Sequence, residues 1–138
     1  MLPDRFDKAS PLMLSVLRVM SGLLFLAHGT QKFLSFPAGE AAGFGWTFAH
    51  PGAFAGVIEL VTGALIALGL FTRPAAFLAS GTMAAAYFIG HAPQNFWPVN
   101  NGGDAAILYC FVFLYFAFAG PGPISLDAKL RGAGRLAA

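Results

Sequence analysis

The stretch LMLSVLRVMSGLLFLAHGTQKFL, residues 12–34, is apolar over most of its length and carries two basic side chains, Arg18 and Lys32. At about 1.5 Å per residue, a helix of this length spans a hydrocarbon core of about 30 Å. The stretch is too long for the apolar part of a cleaved signal peptide, and Asp4 and Asp7 offset the basic residues before it. We expect a retained membrane span.

Three further apolar runs follow, at residues 53–71, 75–91 and 104–120. The 138-residue chain is 57% hydrophobic and only 10% charged, whereas soluble domains carry about 25% charged residues. The sequence therefore predicts an all-α integral membrane protein, a four-helix bundle in one domain over residues 1–138. We expect residues 121–138 to form an interfacial tail.

Basic residues predict the orientation of these spans. The tails contain Arg5, Lys8, Lys129, Arg131 and Arg135, and Arg73 lies between the second and third spans. Because cytoplasmic loops are enriched in Lys and Arg, both termini are expected in the cytoplasm and the protein in the cell inner membrane, surrounded by lipids. A net charge of +2, without a basic aromatic stripe, predicts no nucleic-acid partner.

Helical periodicity groups the residues expected to face inward. These are Ser15, Arg18, Gly22, Phe25, Gly29 and Lys32 in the first span, with His28 at the edge of that face; Gly52, Ala55, Gly56, Glu59, Thr62, Gly63 and Arg73 in the second; Ser80, Ala84, Tyr87 and His91 in the third; and Asp104, Leu108, Phe111, Tyr115 and Phe118 in the fourth. The glycines of the second span predict close approach of helix backbones.

Depth along the antiparallel spans predicts a polar cluster near the outer interface. Its members are His28, Gln31, Lys32, Glu59, His91 and Asp104. The segment 95–104 before the fourth span is either a capped turn or a lid, in which Asn100 and Asn101 could bind a polar headgroup and Asp104 caps the helix.

Glu59 is the most informative member, because an ionised carboxylate within an apolar span is costly unless it is paired or protonated. Either Glu59 and His28 exchange protons or bind a ligand, or Glu59 forms a structural ion pair with Lys32 or His28. His28, His91 and Glu59 could also hold a metal, but no single helix carries two such ligands at bundle-site spacing, so we predict no metal site.

No sequence motif indicates a resident redox cofactor: there is no CxxCH, no GxGxxG after a strand and no cysteine set, only Cys110. The fourth span contains Tyr109, Phe111, Phe113, Tyr115, Phe116 and Phe118. These rings either pack ordinarily or stack against a quinone. Near the cytoplasmic side, Asp127 of the tail is expected to reach Arg18.

The chain resembles the DoxX family of small bacterial and archaeal membrane proteins. The matching elements are His28-Gly29-Thr30-Gln31-Lys32, Glu59 with Gly63, Gly69-Leu70-Phe71-Thr72-Arg73, His91, Asn101-Gly102-Gly103-Asp104 with Leu108-Tyr109, and Gly120-Pro121-Gly122 followed by Ser125-Leu126-Asp127. In two places the sequence departs from the pattern, since Asp104 replaces the usual glutamate and Phe33-Leu34 inverts the usual order.

The resemblance implies a four-helix bundle in the cytoplasmic membrane, in a family named from a subunit associated with a quinone-linked oxidoreductase. It implies no enzyme class. Our leading hypothesis is an accessory subunit of a membrane oxidoreductase or respiratory complex that contacts quinone at the outer cluster. The alternatives are a structural or assembly subunit without chemistry, and a binder or carrier of a small lipophile that acts alone or as a homo-oligomer.

Overall fold

The structure is a computed structural model that describes residues 3–136. Within this range it contains no β-strand and six α-helices: α1 (Pro3–Leu34), α2 (Pro51–Leu68), α3 (Thr72–Ala86), α4 (Pro98–Asn101), α5 (Asp104–Ala119) and α6 (Leu126–Leu136). The predicted all-α fold class is confirmed. The predicted domain also includes residues 1, 2, 137 and 138, which lie outside the described residues.

Among the described helices, α1 and α2 are long and apolar enough to cross a membrane. The helix α5 is apolar but shorter, and α3 gains length by continuing into the π-helical turn Tyr87–His91. These four helices correspond to the four apolar runs of the sequence. That each of them crosses a membrane stays a prediction.

Glycines bring α1 and α2 into close contact. A Cβ added to Gly22 would lie 2.5 Å from the backbone nitrogen of Ala67, and one added to Gly63 would lie 2.7 Å from that of Leu26. Such close approach requires a residue without a side chain, which is a common basis of helix association in lipid.

The predicted inward faces of these two helices are largely confirmed. Among the predicted residues, the buried ones are Ser15, Arg18, Gly22, Phe25, Gly29, Gly56, Glu59, Thr62 and Gly63. Arg73 is an exception, because it belongs to α3 and is exposed.

The inward side of α5 differs from the predicted one. Its buried residues are Ala106, Phe113 and Phe116, which belong to the same core as Phe25 and Ile66. The predicted inward face is instead exposed: Asp104, Leu108, Phe111, Tyr115 and Phe118. Because α5 is apolar on every side, the spacing of its apolar residues could not show which side faces the protein.

Two arginines stabilise helix ends opposite the predicted polar cluster. The Arg18 side chain, 1% exposed, donates hydrogen bonds to the carbonyl groups of Ile66 and Ala67 at the end of α2, and to those of Pro121 and Ile124. Arg73 donates to the last carbonyl groups of α5. Cations are favourable at these positions because helix C-termini carry partial negative charge.

The predicted contact between Asp127 and Arg18 is wrong. The Asp127 carboxylate accepts hydrogen bonds from the backbone N–H groups of Phe71 (2.9 Å) and Thr72 (3.0 Å), where α3 begins. Burial would raise the pKa of Asp127, but the hydrogen bonds from Thr72 and Phe71, with Arg131 nearby, lower it below the usual value. Asp127 therefore caps α3, because the unpaired N–H groups of a helix start attract a carboxylate.

Candidate functional site

The centre of the candidate site is an ion pair between α1 and α2. Lys32 Nζ lies 2.7 Å from Glu59 Oε1 and 2.8 Å from Glu59 Oε2. The side chain of Glu59 is 5% exposed and that of Lys32 is 17% exposed. The close approach of α1 to Gly56 on α2 brings Lys32 within reach, since a Cβ at Gly56 would contact the Lys32 side chain. Of the two predicted partners of Glu59, the structure therefore selects Lys32.

Beside this ion pair lies a groove of about 380 Å³ between α2 and α3, which we call the α2–α3 groove. Its lining is mostly apolar and comes from one side of each helix: Pro51, Gly52, Ala55 and Ile58 of α2, and Thr82, Ala85, Ala86, Ile89 and Gly90 of α3 and its π-helical turn. The charged and imidazole side chains that line it are those of Lys32, Glu59, His50 and His91. A small pocket that is largely apolar and lined by a few polar groups is typical of a ligand site.

The imidazole of His91 is held in a defined orientation. Its Nδ1 lies 2.9 Å from the backbone carbonyl oxygen of Asn101, and its ring stacks on that of Tyr87. The Asn101 side chain is buried and fixes the turn before α5, because it donates to the Asn95 carbonyl and accepts from the Gly103 N–H. Asn101 therefore does not line the groove itself; its backbone carbonyl contacts His91, which does.

His50 is the groove residue that the sequence reasoning missed. Its Nδ1 accepts a hydrogen bond from the Gly52 N–H (3.1 Å), so His50 is the N-cap of α2, with Pro51 as the first helical residue. Proline at that position is common, since the first N–H of a helix has no partner within it. A polar residue directly before Pro-Gly and an apolar run was the signal that could have identified it.

The structure does not bring all the predicted site residues together. Glu59, Lys32 and His91 all line the groove, but His28, Gln31 and Asp104 do not. His28 is exposed, and its ring lies against that of Tyr109 on α5. Gln31 donates to the Pro37 carbonyl, and Asp104 is exposed in the first turn of α5.

The expected cap at Asp104 is also corrected. The residue before α5 is Gly103, which makes no side-chain cap, and the Gly103 N–H is bound by Asn101 instead. The carboxylate of Asp104 still lies in the first turn of the helix, where negative charge is favourable.

Metal-binding geometry is absent from the part of the chain that the structure describes, since no three His, Cys, Asp or Glu side chains there are grouped closely enough to hold an ion. The groups that could meet a ligand at the α2–α3 groove are instead hydrogen-bonding ones. Lys32 Nζ has three N–H donors, of which the two Glu59 oxygens account for two. His91 contributes a ring nitrogen.

An all-helical chain with apolar helices, a buried ion pair and a groove beside it has the features of a helical membrane protein. A family model described as DoxX matches residues 13–92. The chain belongs to the DoxX family, and the resemblance found in its sequence is confirmed.

Three relatives extend the match over most of the chain. A Haemophilus influenzae protein, described as uncharacterised, is 44% identical and covers 91% of this chain and 96% of its own. A Mycobacterium tuberculosis protein, described as an uncharacterised membrane protein, is 31% identical over 83% of this chain and 78% of its own. The inner membrane protein YphA of Escherichia coli is 31% identical over 90% of this chain and 94% of its own. No solved structure matches significantly.

Proposed function

We propose that this protein binds a small lipophile in the α2–α3 groove and holds the polar head of that molecule beside the Lys32–Glu59 ion pair. The protein acts as a multi-pass protein of the cell inner membrane, with four spans and both termini in the cytoplasm. The basic residues of the tails support this orientation. The relatives described as membrane proteins support the location.

The observation that carries the proposal is the ion pair itself, beside a groove whose lining is mostly apolar. Glu59 is 4% exposed, and burying a charged pair costs desolvation free energy that mutual attraction only partly recovers. Intramembrane ionisable groups are typically retained for function. Lys32 keeps one N–H donor beyond those that meet Glu59, and this donor is suited to a carbonyl or hydroxyl oxygen of the ligand.

A quinone-type ring matches these requirements, because it combines a flat apolar body with oxygen atoms that accept hydrogen bonds. We further propose that the protein delivers or senses this molecule as an accessory subunit of a membrane oxidoreductase. Electrons would then come from the partner or from the quinone, since the sequence contains no motif for a resident redox cofactor. The roles of Glu59 and His28 in proton exchange stay predictions.

A second candidate is a structural role without a ligand. The short contacts of Lys32 with both Glu59 oxygens favour it, because an ion pair of this kind fixes the register of α1 against α2 without any ligand. If that role is correct, Glu59→Gln lowers the yield of folded protein and leaves the content of bound small molecules unchanged.

Two glycines of α3 and its turn offer a matched test. A Cβ at Gly90 or at Gly81 would meet no atom within 4 Å, so a side chain can begin at both positions without a clash. Gly90 lines the groove, whereas Gly81 does not. Gly90→Leu therefore fills the groove, and Gly81→Leu places the same side chain outside it.

The measurement is quenching of tryptophan fluorescence by decylubiquinone, with the protein in lipid nanodiscs. Trp46 reports on the groove end of the helices, because its indole N–H donates to the Phe33 carbonyl next to Lys32. We expect saturable quenching in the wild type and in Gly81→Leu, and only non-saturable quenching in Gly90→Leu. Identical curves for all three proteins would contradict quinone binding in the groove.

A further inference from the structure

The contact between His91 and Asn101 determines which hydrogen-bonding group the histidine can offer to a ligand. A backbone carbonyl oxygen can only accept a hydrogen bond, so the His91 nitrogen that lies 2.9 Å from it, Nδ1, must carry the proton. In the neutral imidazole the other nitrogen, Nε2, is then unprotonated and acts as an acceptor.

Nε2 is also the nitrogen that remains available. Over residues 3–136 the only hydrogen bond of the His91 side chain is made by Nδ1, and His91 lines the α2–α3 groove. The orientation of the ring is fixed from two sides, by the Asn101 carbonyl and by stacking on Tyr87. A half-buried acceptor held in this way favours a ligand with a matching donor, since an acceptor that the ligand covers without pairing costs free energy.

We propose that His91 selects a lipophile with a hydroxyl group on its head, such as a phenol or a reduced quinol, over the corresponding ether or oxidised quinone. The hydroxyl donates its hydrogen bond to His91 Nε2. This inference rests on the proposed function, because it concerns the head of a molecule bound in the same groove. His91 thereby determines specificity.

The Asn101 carbonyl has a positioning role in this selection. If the ring turned over, Nδ1 would lose its acceptor, so the main chain before α5 keeps His91 in the orientation that presents Nε2. Asn101 is itself held by its bonds to Asn95 and Gly103. The turn that precedes α5 thus fixes an acceptor at the groove without contributing a side chain to it.

The test compares two probes that differ only in the donor, para-heptylphenol and para-heptylanisole. Each is titrated by calorimetry into the full chain in dodecyl maltoside micelles, with empty micelles titrated in parallel to correct for partitioning. We expect the phenol to bind about fivefold more tightly than the anisole in the wild type and in Gly81→Leu. In His91→Phe, which keeps an aromatic ring, we expect the two affinities to become equal.

Nitrogen NMR of protein with isotope-labelled histidine provides a readout that does not depend on a stable variant. The chain contains only His28, His50 and His91, so the spectrum has few signals. We expect one unprotonated Nε2 signal to move upfield when the phenol is added and to stay in place with the anisole. Its absence from the spectrum of His91→Phe assigns it.

The outcomes separate this inference from the proposed function. Equal affinities of the two probes in the wild type, both lost in Gly90→Leu, would overturn the selection by His91 and leave lipophile binding intact. Binding of neither probe, or binding unaffected by Gly90→Leu, would overturn both. A spectrum in which His91 carries its proton on Nε2 would also overturn the selection.

Discussion

Removing the negative charge of Glu59 should destabilise the protein through the lysine that stays behind. Loss of one partner from a buried ion pair typically costs about 3–5 kcal/mol, because the remaining charge is buried without compensation. In Glu59→Gln that charge is the Lys32 ammonium. Its side chain is 17% exposed, so solvent can still reach part of it. We expect the lower end of the range, about 3 kcal/mol.

Replacing both partners should recover part of this loss. Apolar substitution of a complete buried ion pair is often close to neutral, since the desolvation cost disappears together with the attraction. The double variant Glu59→Gln/Lys32→Met should therefore be more stable than Glu59→Gln alone, with a coupling free energy of about 2 kcal/mol between the two positions.

The assay is unfolding by sodium dodecyl sulfate in mixed micelles, followed by circular dichroism, for the wild type, the two single variants and the double variant. Asp104→Asn is the control, because Asp104 is exposed and does not line the groove, and it should change the free energy of unfolding by less than about 0.5 kcal/mol. Wild-type stability of Glu59→Gln, or strict additivity in the double variant, would refute the buried ion pair.

The other predictions concern packing and capping. Gly63→Ala should cost about 1–3 kcal/mol in the same assay, because its Cβ would lie 2.7 Å from the Leu26 backbone nitrogen, whereas Gly81→Ala should not destabilise. Equal stability of both variants would contradict close packing of α1 on α2. Asp127→Ala should cost about 1 kcal/mol through the lost cap of α3. Since the folded-state pKa of Asp127 is lowered, its contribution is present above about pH 4 and is lost as the pH falls through the folded pKa. The variant should lack that acid-dependent loss, and an unchanged pH profile of stability would count against the cap.

Depth along antiparallel helices identified part of the site from the sequence. Lys32 and Glu59 lie near the same level on neighbouring helices that glycines bring close together, and they pair in the structure. His28 and Gln31 lie at similar levels, yet they point elsewhere. Depth alone therefore could not define the site, because the direction in which a side chain points around its helix also decides which residues meet.

The order of the helices in space was the information that the sequence lacked. α1 packs on α2, α2 on α3, and α3 on α5. This arrangement leaves the groove between α2 and α3, with α5 away from it. Asp104, at the start of α5, consequently does not join the ion pair, although it lies at the same end of the helices. Periodicity in α5 could not reveal this, since the helix is apolar all round.

Hydrogen bonds to the backbone explain why the predicted contact between Arg18 and Asp127 is wrong. Arg18 and Asp127 have opposite charges, but Arg18 donates to four backbone carbonyl groups and Asp127 accepts from two backbone N–H groups. Helix ends present unpaired backbone groups that compete with side chains for charged residues. The sequence shows the charges of side chains, but not where helix ends come together in space.

Binding of a small lipophile in the α2–α3 groove is tested most directly by native mass spectrometry of the protein released gently from its own membranes. The measurement compares the wild type with Gly90→Leu and Gly81→Leu, and identifies every co-released lipid and protein. We expect the wild type and Gly81→Leu to retain a hydroxyl-bearing lipophile that Gly90→Leu has lost, and co-release of a redox complex would support the accessory role. The same bound molecules in all three proteins, or none in the wild type, would contradict the binding of a lipophile in the groove.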